Sequence, residues 1–470
     1  MRAATGPRFN NSGRRKPQPR TRETQIPSMT PSVTETRGDG PVEVKGSITK
    51  HHNDGKLVPV LRSAALLVVL FFVLCGTNRW LSFEEGIRLE NATDTKSYMA
   101  IAATAPSLPP ADAQLLSHHA QRFVSPYIVG TVAFYSHLSA QQVFRVAVIA
   151  MIALIIWVAY RILCHLRVPE QYGTLCMSLL ILNPYMFRLY LAIPALLDDL
   201  VFVLGLSLLV YGLLQGRLGT AVIAALVASL GKQTSLFVLP VVAIWILFGP
   251  PWSRLSLARR TSSFLLIAVV CVTCYLVTGA VAREFSSAKS EGVYFMLTGL
   301  PRWALSEFNA GFLANFVFLG IFPFLFPLSI GCAVFLRTRP PLPKEFYLLI
   351  AMVLACCLQP FLAGPSFMGH GILRLNLLAY VPLLAALGLL LREARLPAHS
   401  ESLMLVCGIL IAVGSLHPRF TYNGGTKPPV GPIILGTVEP LISMWFVCLY
   451  CLSALLVGVA IYLSTAPAKE

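Results

Sequence analysis

The sequence predicts an all-α polytopic membrane protein, a transmembrane bundle of about 12 spans (11–13). Three observations predict it. Only 12% of the 470 residues are charged and 56% are hydrophobic, against about 25% charged in a soluble globular chain. The apolar residues fall in continuous runs, not in the alternating pattern of a membrane β-barrel. The 33 Pro and 33 Gly suit broken helices in lipid. Together these exclude an ordinary soluble enzyme and a disordered protein. The formal charge of +16, from 37 Lys and Arg against 21 Asp and Glu, would suggest nucleic acid in a soluble chain. Here the basic residues lie mainly in the N-terminal tail and in short loops between apolar runs. That is the charge pattern of cytoplasmic loops, so membrane lipids are the expected partner and nucleic acid is not.

Residues 1–57 are rich in Pro, Thr, Ser and Arg. They cannot bury enough apolar surface to fold alone and read as a disordered basic cytoplasmic tail. Its Arg14-Arg15-Lys16 run suits anionic headgroups. The first apolar run starts too late for a signal peptide. Runs follow at about 58–78, 123–138, 142–163, 172–190, 194–214, 217–231, 234–249, 262–282, 311–336, 346–363, 372–391, 401–416 and 433–463. Several fall short of the roughly 20 residues of a span, which predicts tilted or broken helices. Arg161, His165 and Arg167, then Arg254, Arg259 and Arg260, then Arg337, Arg339 and Lys344, then Arg392 and Arg395 mark inside loops. The external loops are then about 79–122, 185–195, 283–310, 364–371 and 417–432. Both termini lie inside if 123–138 does not fully cross. This organises the chain as a tail (1–57), an N-terminal membrane module with its external loop 79–122 (58–250), and a set of C-terminal transmembrane helices (251–470). The 11 Cys lie mostly inside apolar runs. Cys271/Cys274 and Cys448/Cys451 have CxxC spacing but no second motif or His cluster beside them, so buried thiols are expected rather than zinc or redox chemistry.

The long loop 79–122 is the most polar external segment. Asp94 and Tyr98 are four residues apart and share one face of a helix. Ile101, Ala102 and Ala105 continue an apolar stripe, which predicts an amphipathic helix lying at the bilayer interface. It would hold a carboxylate just above the lipid phosphates; a solvated loop acid is the plainer alternative. Arg122, at the lip of the next run, is a phosphate fork or a snorkelling side chain. His118 and His119 are adjacent, and adjacent rings rarely chelate one ion. No clear metal-ligand set appears, although a divalent ion is left open. Asn183-Pro184 and the pair Asp198-Asp199 lie around the next external turn, where two acids line a cavity or cap a helix. Gly231-Lys232-Gln233-Thr234 interrupts a long apolar stretch as a hairpin turn or a helix break. His370 and Arg374 open a late span, with Arg374 a second phosphate clamp. The external face thus gathers acids (Asp94, Asp198, Asp199) and bases (Arg122, Lys232, Arg374). That pattern suits an anionic lipid headgroup beside a general base, not an ion channel. A secondary transporter or lipid-linked glycan flippase would place its charges at mid-membrane in inverted repeats. A membrane glycan polymerase is the other alternative, and 283–310 is the late external loop that it would use.

In these residues the sequence resembles the membrane-embedded glycosyltransferases of the GT-C superfamily, nearest to the bacterial cell-surface glycopolymer and mannosyltransferase-like group. The likeness rests on D-x-x-x-Y-x-x-I-A (Asp94, Tyr98, Ile101, Ala102), on Arg122 and Pro126 opening an apolar run, on Asn183-Pro184 leading to Asp199, and on Gly231-Lys-Gln-Thr. It covers roughly residues 58–250, with H-x-x-x-R (His370, Arg374) the only match beyond. The resemblance implies transfer of a sugar from a polyprenyl- or dolichyl-phosphate donor to an extracytoplasmic glycan, lipid or protein acceptor. It implies a loop acid as catalytic base, in a bacterial inner membrane first and the endoplasmic reticulum second. Asp94 is the favoured base, with Tyr98 and the following helix matching best. Glu84-Glu85 stands where many members carry an acidic pair, so Glu85 or Glu84 is the alternative.

Overall fold

The protein, seen in a computed structural model, is described over residues 54–77, 93–113, 115–183, 186–286, 321–363, 371–394, 400–415 and 440–465. These residues are all-α: 17 helices and three 3-10 turns, with a lone bridge between Leu115 and Ser286 in place of any sheet. In chain order the helices are α1 (Asp54–Thr77), α2 (Thr93–Thr104), α3 (Ser117–Ala120), α4 (Val124–Ser136), α5 (Ala140–His165), α6 (Glu170–Leu182), α7 (Arg188–Ala192), α8 (Leu197–Gln215) and α9 (Leu218–Gly231). Then come α10 (Ser235–Phe248), α11 (Leu257–Ala282), α12 (Leu325–Thr338), α13 (Lys344–Ala363), α14 (Gly371–Leu377), α15 (Tyr380–Ala394), α16 (Ser400–Ser415) and α17 (Pro440–Ser464).

Local chemistry sets several boundaries. Ser139 starts α5 with a reciprocal capping box to Gln142. Ser256 caps α11 by accepting from the Arg259 amide. α8 is entered through a 3-10 turn, Pro194–Leu196, in which proline's missing N–H costs nothing. Among the described residues, three helices are long and apolar enough to cross a membrane: α5, α11, and α8 with its 3-10 entry. The α8 span is 83% buried inside the protein and the α11 span only 22%, so α8 is the central helix. α11 turns Leu265, Leu266, Val269, Val272 and Leu276 outward, as a lipid-facing helix does.

α4 has 13 residues, about 20 Å at 1.5 Å per residue, short of a hydrocarbon core of about 30 Å. α9 and α10, 14 residues each, are likewise too short to cross singly. The thiols depart in part from expectation. Cys271 and Cys274 are buried, but Cys448, Cys164 and Cys332 are exposed, because they fall on outward faces of their helices.

Candidate active site

α2 carries the loop acid, Asp94, in its first turn, where a carboxylate is favoured by the helix dipole. Most of the helix surface packs against the protein. Thr95, Ser97, Tyr98, Ile101 and Ala102 are all buried, and Lys96 alone among them is exposed. The cause is Gly130 on α4. A Cβ there would sit 2.1 Å from the Ala102 carbonyl oxygen, so the missing side chain lets α2 lie hard against α4 and turns its polar face into the protein.

That packing drives Tyr98 inward, and its hydroxyl donates to Asp198 Oδ2 at 3.0 Å. Arg122, in the turn before α4, donates from Nη1 to the Tyr98 hydroxyl (3.3 Å) and pairs with Asp198 Oδ2 (3.5 Å). Its Nε donates to Gln233 Oε1 at 3.1 Å, and Gln233 in turn donates to Gln121 at 3.0 Å. Arg122 therefore does not snorkel to the headgroups; its guanidinium is spread over buried partners.

Asp198 and Asp199, 1% and 0% exposed, sit in the first turn of α8. A second close approach brings them a cation. A Cβ on Gly231 would fall 2.4 Å from the Phe202 nitrogen and 2.7 Å from the Asp198 carbonyl oxygen. The end of α9 thus lies on the start of α8, and Lys232, 2% exposed, bonds Asp199 Oδ1. Arg374 on α14 closes the cluster. Its Nε bonds Asp199 Oδ2 and its Nη1 reaches Asp94 Oδ2 at 2.5 Å. Tyr190 also donates to Asp199 Oδ2 at 3.4 Å. On the other side of Asp94, His119 Nε2 bonds Oδ1, and His119 Nδ1 lies 3.2 Å from the Ser97 hydroxyl.

The predicted residues Asp94, Tyr98, Arg122, Asp198, Asp199, Lys232 and Arg374 therefore form one network, drawn from segments up to 280 residues apart. Three carboxylates face three fixed cations, so the cluster is charge-balanced within itself. Glu84, Glu85, Pro184 and His370 lie outside the described residues. Asn183 plays a supporting part: its amide donates to the Pro323 carbonyl at 3.1 Å and its oxygen accepts from Met186 N at 3.0 Å, holding the chain before α7. His119, Ser97, Gln233 and Tyr190 were not singled out as site residues. His119 lies three residues before Arg122, one helical turn, and that spacing is the signal that joins them.

Burial alone would raise the Asp94 carboxyl, but Arg374, His119 and Arg122 outweigh it and hold it well below the usual carboxylate range. Burial, then Asp198, pushes the Tyr98 phenol well up, so it stays a neutral donor. Burial, followed by His119 and Arg122, pushes His118 down to about 3. Asp94, His118 and His119 each place one ligand atom within 4.8 Å of the others, a donor set the sequence did not reveal. His119 Nε2, however, bonds Asp94 directly, in the space where an ion would part them.

The overall fold is similar to two solved structures. One is the crystal structure of ArnT from Cupriavidus metallidurans bound to undecaprenyl phosphate (15% identity, TM-score 0.44, 86% of this chain and 76% of that one). The other is the cryo-EM structure of the arabinosyltransferase EmbB from Mycobacterium smegmatis (14% identity, TM-score 0.43, 85% of this chain and 39% of that one). No family model and no curated protein matches the sequence.

Proposed function

We propose that the chain is a GT-C-type membrane glycosyltransferase that moves a sugar from a polyprenyl- or dolichyl-phosphate donor to an extracytoplasmic acceptor. One observation carries this reading: the loop acid Asp94 is joined to Arg374, and through it to Asp199 and Lys232, in one buried cluster. A base and fixed cations are what the reaction needs side by side. The acceptor hydroxyl attacks the anomeric carbon as the bond from that carbon to the phosphate oxygen breaks. Its proton passes to Asp94, typically worth about 10²–10⁴ in rate. The departing lipid phosphate gathers negative charge, which Arg374, Lys232 and Arg122 are placed to stabilise in a site poor in water. A single in-line displacement inverts the sugar carbon.

Asp198 is the rival base. Its Oδ1 is buried with no hydrogen-bond partner among the described residues, whereas both oxygens of Asp94 are engaged. Transfer from a polyprenyl-phosphate sugar by the purified chain distinguishes the two. Asp94→Asn is expected to lower turnover by about 10²-fold or more, with donor binding retained. Near-normal turnover in Asp94→Asn together with loss in Asp198→Asn moves the role to Asp198.

A further inference from the structure

Both oxygens of Asp94 are held. Oδ1 is bonded by His119 Nε2 and Oδ2 by Arg374 Nη1 at 2.5 Å. An ionised carboxylate only accepts, so the Nε2–H of His119 is the donor there. His119 is itself 2% exposed, with Ser97 at its far nitrogen and the His118 ring packed edge-on at 4.0 Å. That bond is built into the fold. The other is shared, because Arg374 also bonds Asp199, and Asp199 keeps Lys232 whether Arg374 stays or goes. Asp94 has no second fixed cation in direct contact among the described residues, since Arg122 is committed to Asp198 and Tyr98. In this arrangement each oxygen of Asp94 already accepts a bond, and the Arg374 cation on Oδ2 lowers its basicity toward an acceptor hydroxyl.

We propose that the donor uncovers the base: an anionic phosphodiester entering the cluster takes Arg374 from Asp94 and leaves Oδ2 open to the acceptor, with Oδ1 still fixed by His119. The inference rests on the lipid-phosphate reading above and adds an order to it, donor before acceptor. Arg–phosphate forks are strong enough to compete with a carboxylate, since both are charge-assisted and can be bidentate. The device would keep the base idle until the leaving group is in place.

A proton count tests it. The groups facing Asp94 are Ser97 and Tyr98 on α2, His118, His119 and Arg122 in the segment before α4, and Arg374 on α14. Asp198 and Asp199 of α8 and Lys232 after α9 stand behind them. Removing Arg374 removes the largest opposing charge, while burial, which raises the carboxyl, remains. The bound state then holds more protons than the free state as the pH falls, so binding takes protons up. The probe is a polyprenyl methyl phosphodiester, which stays ionised and has no sugar to transfer. It is titrated calorimetrically into the full chain in detergent, in buffers of different ionisation enthalpy. Uptake of about a few tenths of a proton per ligand near about pH 5, growing toward lower pH, is expected. Asp94→Asn is expected to bind the probe with that uptake gone. Binding without uptake in the wild type overturns the hand-over and leaves the donor reading standing, as does an Asp94→Asn variant with undiminished uptake. Failure to bind the probe at all removes both. If Asp94→Asn does not fold, the wild-type pH series decides alone, and uptake that does not grow toward low pH overturns the proposal.

Discussion

Arg122 reaches Tyr98, Asp198 and Gln233 with one guanidinium, and the geometry of that group, as much as its charge, holds the three together. A lysine carries the charge on a single point and has no fork. Arg122→Lys is therefore expected to lower transfer by about 10–100-fold and Arg122→Ala by more, in a purified assay with the lipid-phosphate sugar. The ordering matters: equal activity of Lys and Arg at this position would mean that charge alone suffices. Asp94 adds a dependence on pH. Its carboxyl is held below its unfolded value of about 3.9. The ion pair thus contributes stability that is fully present above about pH 4 and lost as the pH falls through the lower folded value. Thermal melts of the detergent-solubilised protein are expected to fall on acidification below about pH 4, and Asp94→Asn is expected to flatten that part of the curve while lowering stability above it, because Arg374 and His119 lose their shared partner. An unchanged acid slope in the variant would assign the dependence to other carboxylates.

Two helices meet the site because a side chain is missing where they cross. At Gly231 an added Cβ would overlap the backbone of Phe202 and Asp198, which cannot swing aside as a side chain can. Gly231→Ala is expected to cost about 1–3 kcal/mol and to reduce transfer by moving Lys232 off Asp199. Gly219→Ala, on the same helix with open space around it, is the control and is expected to be neutral or slightly stabilising; melting and transfer assays on the pair separate helix propensity from packing. At this scale much was legible. The apolar runs at 142–163, 194–214 and 262–282 match α5, α8 and α11 to within a few residues, because twenty consecutive apolar residues leave little choice but a helix. The seven charged and phenolic side chains of the cluster were also legible, by type and loop position, as the polar groups of the external segments. Their pairing was not. Nothing local pairs Arg122 with Asp198 or lays α2 against α4. Both outcomes are fixed by crossings at Gly130 and Gly231 with segments far away in the chain, and no periodicity in a single stretch encodes a partner that distant.

The connectivity of the central helices sets where the whole cluster stands relative to the membrane. α8 starts at Asp198 and Asp199 and runs 19 residues to Gln215, about 28 Å. α9 returns from Leu218 to Gly231 and delivers Lys232 beside Asp199. α10 then leaves the cluster toward Phe248 and the segment holding Arg254, Arg259 and Arg260. The charged cluster and that basic segment are thus at opposite ends of the same helices. Cytoplasmic loops collect Lys and Arg, so the basic end is expected to face inward and the cluster outward, which is the side a lipid-phosphate-sugar transferase of this proposed kind needs. Lys96, exposed on α2 two residues from Asp94, and Arg254, exposed at the other end, report on the two faces. The background replaces the exposed thiols Cys164, Cys332 and Cys448 with Ser. In intact cells Lys96→Cys is expected to react with a membrane-impermeant maleimide, and Arg254→Cys is expected to react only after permeabilisation. The reverse pattern would place Asp94 and its cations in the cytoplasm, where an acceptor outside the membrane could not reach them, and the proposed transfer would fail on orientation alone, whatever the chemistry of the cluster.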